Sequence, residues 1–427
     1  MKTVYFHTLG CKVNQYDTQA MLEEFLKNGY VEVFTPEEAD VCIVNTCTVT
    51  ATADKKSLQI AHKQKKLNKN CELIIAGCMS QKKSAELLKT GARLIIGTNN
   101  RKNIVKLLNK AIKEDRQIVA VDSLELIGYE KLSIASHSEH TRAVVKIEEG
   151  CDYNCSYCII PSVRGHVRSR LISDIVDEVN SLAENGFKEI VLTGINLTCY
   201  GKDLGNCDLS DVVTAINEID GIQRIRISSL EPNLVKNEIA EKLASSEKLC
   251  PNFHLALQSG SNKVLGLMRR RYSTERFEES VRILREYFPN CSITTDIIVG
   301  FPGETEEDFL ETVEFVKKIG FQKVHVFPFS PREGTDASKM PQITNDIKKD
   351  RARHLISISK KISKNIFNDC LGKSYSVLIE KQLENSRYFG YTKEYIPIEV
   401  EGNFKSGDII DVEVISIKGE IIIAKEI

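Results

Sequence analysis

What the chain lacks narrows what it can be. No apolar run approaches the roughly 18 residues that a bilayer-spanning helix needs, so no membrane association is expected. The opening segment MKTVYFHTLGC reads as a strand rather than a signal peptide, and a cytoplasmic protein is the expectation. The formal net charge is −1, so any nucleic-acid binding must come from local basic patches. With 8 histidines and no Cys/His pairs at zinc-finger spacing, a conventional zinc module is disfavoured. Tandem repeats and low-complexity segments are also missing. Ordinary hydrophobic (42%) and charged (27%) fractions argue against disorder.

Cysteine is the residue type that stands out. There are 13, an odd number, without a secretory signal, and disulfides would not persist in a reducing compartment. Some are expected to ligate a softer centre than zinc fingers hold. At 427 residues the chain should contain two or three domains.

The periodicity divides it accordingly. Residues 1–125 alternate short apolar strands (TVYFHT, VCIVN, LIIAG, LIIG) with amphipathic helices, which predicts a doubly wound parallel sheet. After the polar stretch SIASHSEHTR, residues 137–366 carry six further strand–helix units. Their strands, AVVKIEEG to KVHVFPFSP, end in Gly, Ser, Gln or Pro, which predicts an α/β partial (β/α)6 barrel with a site at its carboxyl edge. The run KKDRARHLISISKKISKNIF reads as a long connecting helix. Residues 367–427 switch to short alternating strands, predicting a small antiparallel β-barrel of OB-like design.

The segment GCDYNCSYC follows the first barrel strand and spaces Cys151, Cys155 and Cys158 as C-x3-C-x2-C. Three thiolates in one loop can hold three irons of a four-iron cubane and leave the fourth open. An open iron can chelate the amine and carboxylate of a methionine-like ligand, and electron transfer into a sulfonium there would release a carbon radical. Rival readings are a three-cysteine zinc site completed by His166 and chance clustering of buried thiols. Spacing, strand-end position and barrel together weigh against both.

The loop resembles the signature of the radical S-adenosylmethionine superfamily. The resemblance places Tyr157 near the adenine of that cofactor and the TGIN segment (Thr193, Gly194, Asn196) at its methionine amine. It likewise brings Ser228 and Glu231 of SSLEP and Gln258 of LQSGS toward the methionine or ribose. Gly300 and Gly303 of VGFPGE would pass close to the adenine.

Three other cysteines, Cys11, Cys47 and Cys78, each follow a predicted N-terminal strand. In a parallel sheet those ends share one edge, so the three can converge. Cys42 and Cys71 lie at strand starts and read as core residues. The competing reading is that all five are structural thiols.

This combination is similar to the methylthiotransferases, a branch of the radical superfamily, over nearly the whole chain. The resemblance implies a second four-iron cluster on Cys11, Cys47 and Cys78 that holds the transferred sulfur, and a C-terminal domain of the TRAM type. Expected cofactors are therefore two 4Fe-4S clusters and S-adenosylmethionine. The words GCKVNQYDT, NTCTVT, RISSLEP and PFSPREGT resemble the branch that modifies N6-threonylcarbamoyladenosine beside the anticodon, although that branch carries His where Asn196 stands here. The alternatives are branches acting on isopentenyladenosine or on a ribosomal-protein aspartate, and, in another class, an RNA-binding protein with a structural metal.

A tRNA anticodon stem-loop presents an unstacked base to a pocket and is the expected partner, the enzyme itself being monomeric. The sulfur donor and reductant are not identified by sequence. Candidate phosphate contacts are Arg164, Arg168 and Arg170 after the cysteine loop, Arg269, Arg270 and Arg271, and the lysines 55, 56, 63, 65 and 66. Tyr388, Phe389, Tyr391 and Tyr395 are candidates for stacking on bases.

Overall fold

The protein is described by a computed structural model covering residues 1–125, 128–135, 141–384 and 386–427. Six parallel strands form the N-terminal sheet: β1 (Lys2–Thr8), β2 (Tyr30–Glu32), β3 (Val41–Thr46), β4 (Glu72–Gly77), β5 (Leu94–Ile96) and β6 (Ile118–Ala120). Their order is β2-β1-β3-β4-β5-β6. β3 is buried at every position, as a central strand covered on both faces must be. The predicted four strands are present, and β2 and β6 extend the sheet at its two edges. Only three residues long, these edge strands carry too little period-two signal to read from sequence. The strand order reverses between β1 and β3, which opens a crevice at their carboxyl ends.

The central unit supplies β7 (Arg142–Lys146), a short antiparallel ribbon of β8 (Glu148–Glu149) and β9 (Arg168–Ser169), β10 (Glu189–Thr193), β11 (Arg224–Ile227), β12 (Ser229–Leu230), β13 (Asn252–Leu255), β14 (Ser292–Val299) and β15 (Lys323–Pro328). β7, β10 and β11 form one parallel sheet, and β12 to β15 another. The break falls at Ser228, inside the predicted strand RIRISS, so the six expected units are present with the third strand split in two. β14 shows how the barrel is built: Ile293, Thr295, Ile297 and Val299 are buried, while Thr294, Asp296 and Ile298 alternate onto the partly open lumen face. One continuous core runs from Val145 and Leu192 through Phe253 and Phe277 to Val316. The expected domain start at 137 lies outside the described residues. The connecting helix spans Asn345–Asn368, so the expected boundary after 366 falls in its last turn.

The C-terminal strands β16 (Ser374–Gln382), β17 (Arg387–Thr392), β18 (Pro397–Glu401), β19 (Ile409–Lys418) and β20 (Ile421–Glu426) close into a barrel in the order β16-β17-β18-β20-β19. It plugs the amino-terminal end of the central barrel. Arg226 donates to the carbonyls of Thr392 (2.6 Å) and Lys393 (2.8 Å), and Arg224 to that of Tyr391 (3.1 Å). Tyr391 and Tyr395 stack on each other at 4.3 Å beneath the Arg142 guanidinium. Tyr388 is buried in the small barrel's core. Tyr391 and Tyr395 are thus engaged against the central barrel and Tyr388 in the small barrel's core, while Phe389 is half-buried, edge-on to Tyr391 at 5.1 Å.

Candidate functional site

The cysteine loop is held rigidly before any ligand is considered. Gly150 adopts φ +85°, and a Cβ there would run into the His166 carbonyl, so the turn into the loop requires glycine. Cys151 N donates to Gly165 O (3.0 Å), Cys158 N to Cys155 O (3.1 Å), and Ser156 Oγ to Leu267 O (2.7 Å). Cys151, Cys155 and Cys158 line one side of a cavity of about 210 Å³ at the carboxyl ends of the barrel strands. Burial raises the Cys151 thiol to about 12 and the Cys158 thiol to about 11.

Of the residues expected near the sulfonium cofactor, Tyr157, Asn196, Glu231 and Gln258 line the same cavity. Asn196 Nδ2 approaches Cys151 Sγ at 3.6 Å, and Gln258 holds a left-handed φ of +66° that turns the chain at the strand end. Thr193, Gly194, Ser228, Gly300 and Gly303 do not line it. Thr193 is buried in β10, and a Cβ on Gly194 would come within 2.6 Å of Glu148 Oε2. Ser228 Oγ is buried without a partner beside the lining residue Ser229. Gly300 and Gly303 both have positive φ, with Lys348 packed against the first and Leu267 against the second.

The basic residues behave differently from expectation, and burial is the reason. Arg164 is fully buried: it pairs with Glu149, sits 3.4 Å from Asp17 Oδ2, and donates to Asn14 Oδ1 (2.5 Å) and to Cys78 Sγ (3.2 Å). Arg168 and Arg170 are also buried, the latter paired with Glu178. None of the three offers a guanidinium to an external phosphate. The Arg270 side chain, 6% exposed, pairs with Glu231 and donates to Cys155 Sγ at 3.3 Å, so it belongs to the cavity. Arg269 and Arg271 stay exposed, Arg271 lying 4.1 Å over the Tyr153 ring. Lys55, Lys56, Lys63 and Lys66 are exposed on one helix, whereas Lys65 donates to the Cys71 carbonyl (2.6 Å).

Cys11, Cys47 and Cys78 do converge at the crevice between β1, β3 and β4. Cys11 caps the helix Lys12–Lys27, and Cys78 is the first residue of the helix Cys78–Leu88. A Cβ on Gly10 would lie 3.2 Å from Cys47 Sγ. The Cys78 thiol is pushed up to about 11, first by burial, with Arg164 opposing and the neighbouring Cys11 and Cys47 adding to the rise. Cys42 and Cys71, by contrast, are core thiols in contact with each other.

Two features escaped the sequence reading. A second cavity of about 300 Å³ adjoins the first, sharing Tyr157, Cys158, Gln258 and Asp296. Its other walls include Val49 and Thr50 from the Cys47 loop and Phe327 to Ser330 from the end of β15. Arg332 fastens those walls together, donating to Thr48 Oγ1 and Asp54 Oδ2, both at 2.8 Å. Only the acidic residue within the apolar strand TTDIIVG hinted at the lumen.

Comparison with known proteins agrees with this architecture. A profile described as the Radical SAM superfamily matches residues 145–316, and one described as uncharacterized protein family UPF0004 matches residues 3–97. The threonylcarbamoyladenosine tRNA methylthiotransferase MtaB of Bacillus subtilis is 36% identical over 97% of this chain and 94% of its own length. Its Thermotoga maritima namesake is 38% identical over 99% and 97%. The tRNA-2-methylthio-N(6)-dimethylallyladenosine synthase of Pelotomaculum thermopropionicum is 35% identical over 92% and 89%. Among solved structures, the radical S-adenosylmethionine methyltransferase TsrM of Kitasatospora setae shares the fold, with a TM-score of 0.58 at 16% identity over 79% of this chain and 74% of that one. A membrane-crossing helix is absent among the described residues. With full-length relatives at this identity and a cysteine-lined barrel mouth, the chain belongs to the radical S-adenosylmethionine methylthiotransferase family, and it is an enzyme of that class.

Proposed function

We propose that the chain inserts a methylthio group at C2 of N6-threonylcarbamoyladenosine in the anticodon stem-loop of tRNA. In this reading Cys151, Cys155 and Cys158 hold one four-iron cluster, and Cys11, Cys47 and Cys78 hold a second. The donor chemistry fits: each set offers three soft thiols, free of disulfides, and the first opens onto a cavity on its unligated side. When bound, the first cluster would supply the electron that cleaves S-adenosylmethionine, and the second would hold the sulfur to be transferred.

The chain's own residues do the positioning. Asn196, Glu231, Gln258 and Tyr157 would orient the sulfonium cofactor, with Arg270 fixing Glu231 against the Cys155 side of the loop. Thr193, Gly194, Ser228, Gly300 and Gly303 would shape the strand ends around it. The observation that carries the reading is the second cavity, whose walls come from the Cys158 loop and from the loop that follows Cys47. A base placed there would lie between the radical source and the sulfur. The exposed Arg269, Arg271, Lys55, Lys56, Lys63 and Lys66 lie on segments adjoining those walls and suit phosphate contacts. The choice of nucleoside is supported by relatives that carry that name and by the local words quoted above.

Mass spectrometry of tRNA nucleosides from cells lacking the gene tests the substrate. Loss of the methylthio group from threonylcarbamoyladenosine is expected, and loss from isopentenyladenosine would refute the choice. Iron analysis of reconstituted protein tests the sites: replacing Cys11, Cys47 and Cys78 by Ala should halve the iron while adenosylmethionine cleavage persists. Surviving methylthiolation in that variant would refute the second site.

A further inference from the structure

The lumen face of the barrel holds a polar group that neither cysteine site uses. His254 on β13, Asp296 on β14 and His325 on β15 come from three adjacent parallel strands, Asp296 standing directly opposite His325 in register. His254 Nδ1 meets Thr294 Oγ1 at 3.0 Å, which leaves Nε2 directed at Asp296 Oδ2, 3.3 Å away. The two imidazole rings lie 5.9 Å apart, and one polar atom from each of the three residues falls within 4.8 Å of the others. Lys323, next along the same face of β15, is exposed. Asp296 lines both the cysteine-loop cavity and the cavity shared with the Cys47 loop, so this polar group is continuous with the place assigned to the base.

Adenine chemistry links the two. C2 and C6 flank N1, so a base held with C2 at the reacting centre brings whatever is attached to N6 onto the same edge, beside it. A dimethylallyl substituent is apolar and would desolvate the His325 ring and Asp296 Oδ1 without offering either a partner, which is costly. A threonylcarbamoyl substituent carries a carboxylate, a hydroxyl and a ureido N–H.

Resting on the substrate reading above, we propose that His254, Asp296 and His325 form the subsite for the N6 substituent. The imidazole N–H groups donate to the carboxylate and hydroxyl oxygens. The Asp296 carboxylate accepts from the ureido N–H. Specificity then rests on polar groups that only the correct nucleoside satisfies, a more discriminating arrangement than an apolar pocket.

The test uses the full chain, reconstituted with iron and sulfide, and measures equilibrium binding of synthetic anticodon stem-loops without reductant. Three stem-loops serve as probes, carrying threonylcarbamoyladenosine, isopentenyladenosine or unmodified adenosine. For His325→Leu and Asp296→Asn the preference for the threonylcarbamoyl stem-loop over the unmodified one should shrink by roughly 10-fold or more. Binding of the unmodified stem-loop at wild-type strength shows that a variant is folded, and with that control an unchanged ratio in both variants overturns the subsite. One equivalent of zinc that is retained by the wild-type chain and lost in both variants would also overturn it, by showing that the three side chains serve a metal. A wild-type chain that prefers the isopentenyl stem-loop refutes the substrate reading itself, a result distinct from either of these.

Discussion

Replacing Arg164 by Met should destabilise the junction between the two cysteine sites more than any surface change. Three cations, Arg164, Arg101 and Lys146, face three carboxylates there, Asp17, Glu149 and Glu130. The side chains of Asp17 and Glu149 are 2% and 4% exposed, so water cannot stand in for a missing partner. Removing one cation leaves a buried excess of one negative charge. The cost of breaking a buried pair from one side is about 3–5 kcal/mol. For a unit of 150–250 residues, each kcal/mol lowers the melting temperature by about 2–4 °C, so a fall on the order of 10 °C is expected at neutral pH. The carboxyl of Glu149 is held well below its ordinary range by Arg164, Lys146 and Arg101 against the opposing effect of burial. A depressed carboxyl stabilises the fold above its unfolded value, about 4.3, and loses that contribution as pH falls through its folded value. The gap between wild type and variant should therefore be full at pH 7 and narrow in strong acid. Scanning calorimetry at several pH values measures both effects. A melting temperature within about 2 °C of wild type at neutral pH would refute the reasoning, because it would mean the excess charge is solvated after all.

Glu148 should show the opposite pH dependence. Burial raises its carboxyl from 4.5 to about 8, against backbone hydrogen bonds that lower it. A raised carboxyl keeps its proton in the folded state while the unfolded chain has already lost its own, so stability falls as pH rises from 4.5 toward 8. Glu148→Gln, which keeps the acceptor for Asn196 N, should flatten that slope and gain on the order of a few kcal/mol at pH 8, read as a higher denaturation midpoint. An unchanged slope would refute the assignment. Gly150→Ala combines a forbidden left-handed φ with a clash against the His166 carbonyl, and should displace the cysteine loop. On the proposed reading of Cys151, Cys155 and Cys158 as cluster ligands, iron per chain should drop by elemental analysis; wild-type loading would show that the turn relaxes.

Much of this architecture was legible because its signals are local. The strand-then-glycine words that end β1, β4 and β14 mark carboxyl ends without reference to any distant residue. The C-x3-C-x2-C loop lies within a single turn of chain, and the expected lining residues Asn196, Glu231 and Gln258 stand directly after barrel strands. Burial was the hidden quantity. Arg164, Arg168 and Arg170 look like a basic patch, yet they fill the seam between sheet and barrel, where acids more than 100 residues away in sequence, such as Asp17, meet Arg164. Arg270 is flanked by two exposed arginines and differs from them only in pointing at Glu231. The polar group of His254, Asp296 and His325 was invisible for a related reason. Its members come one from each of three strands, and only the parallel register aligns them.

The two halves of the molecule are joined where the chemistry requires them to be. The N-terminal sheet opens at its strand reversal, and the central barrel opens at the ends of its strands. Three ties press the two together: Arg164 reaches from the cysteine loop to Cys78 and Asn14, Lys146 of β7 reaches to Asp17, and Arg332 beyond β15 reaches to the helix that follows Cys47. All three carry buried charge, so separating the openings would expose each ion to the loss of its partner. A rigid seam has a kinetic meaning for a radical enzyme. A carbon radical attacks whatever lies within reach, so selectivity depends on fixing the acceptor before the radical forms. In the proposed reading the base enters a cavity walled by the Cys158 loop and the loop that follows Cys47, and neither loop has to travel to reach it. The seam thus acts on the outcome of the reaction as much as on the stability of the fold.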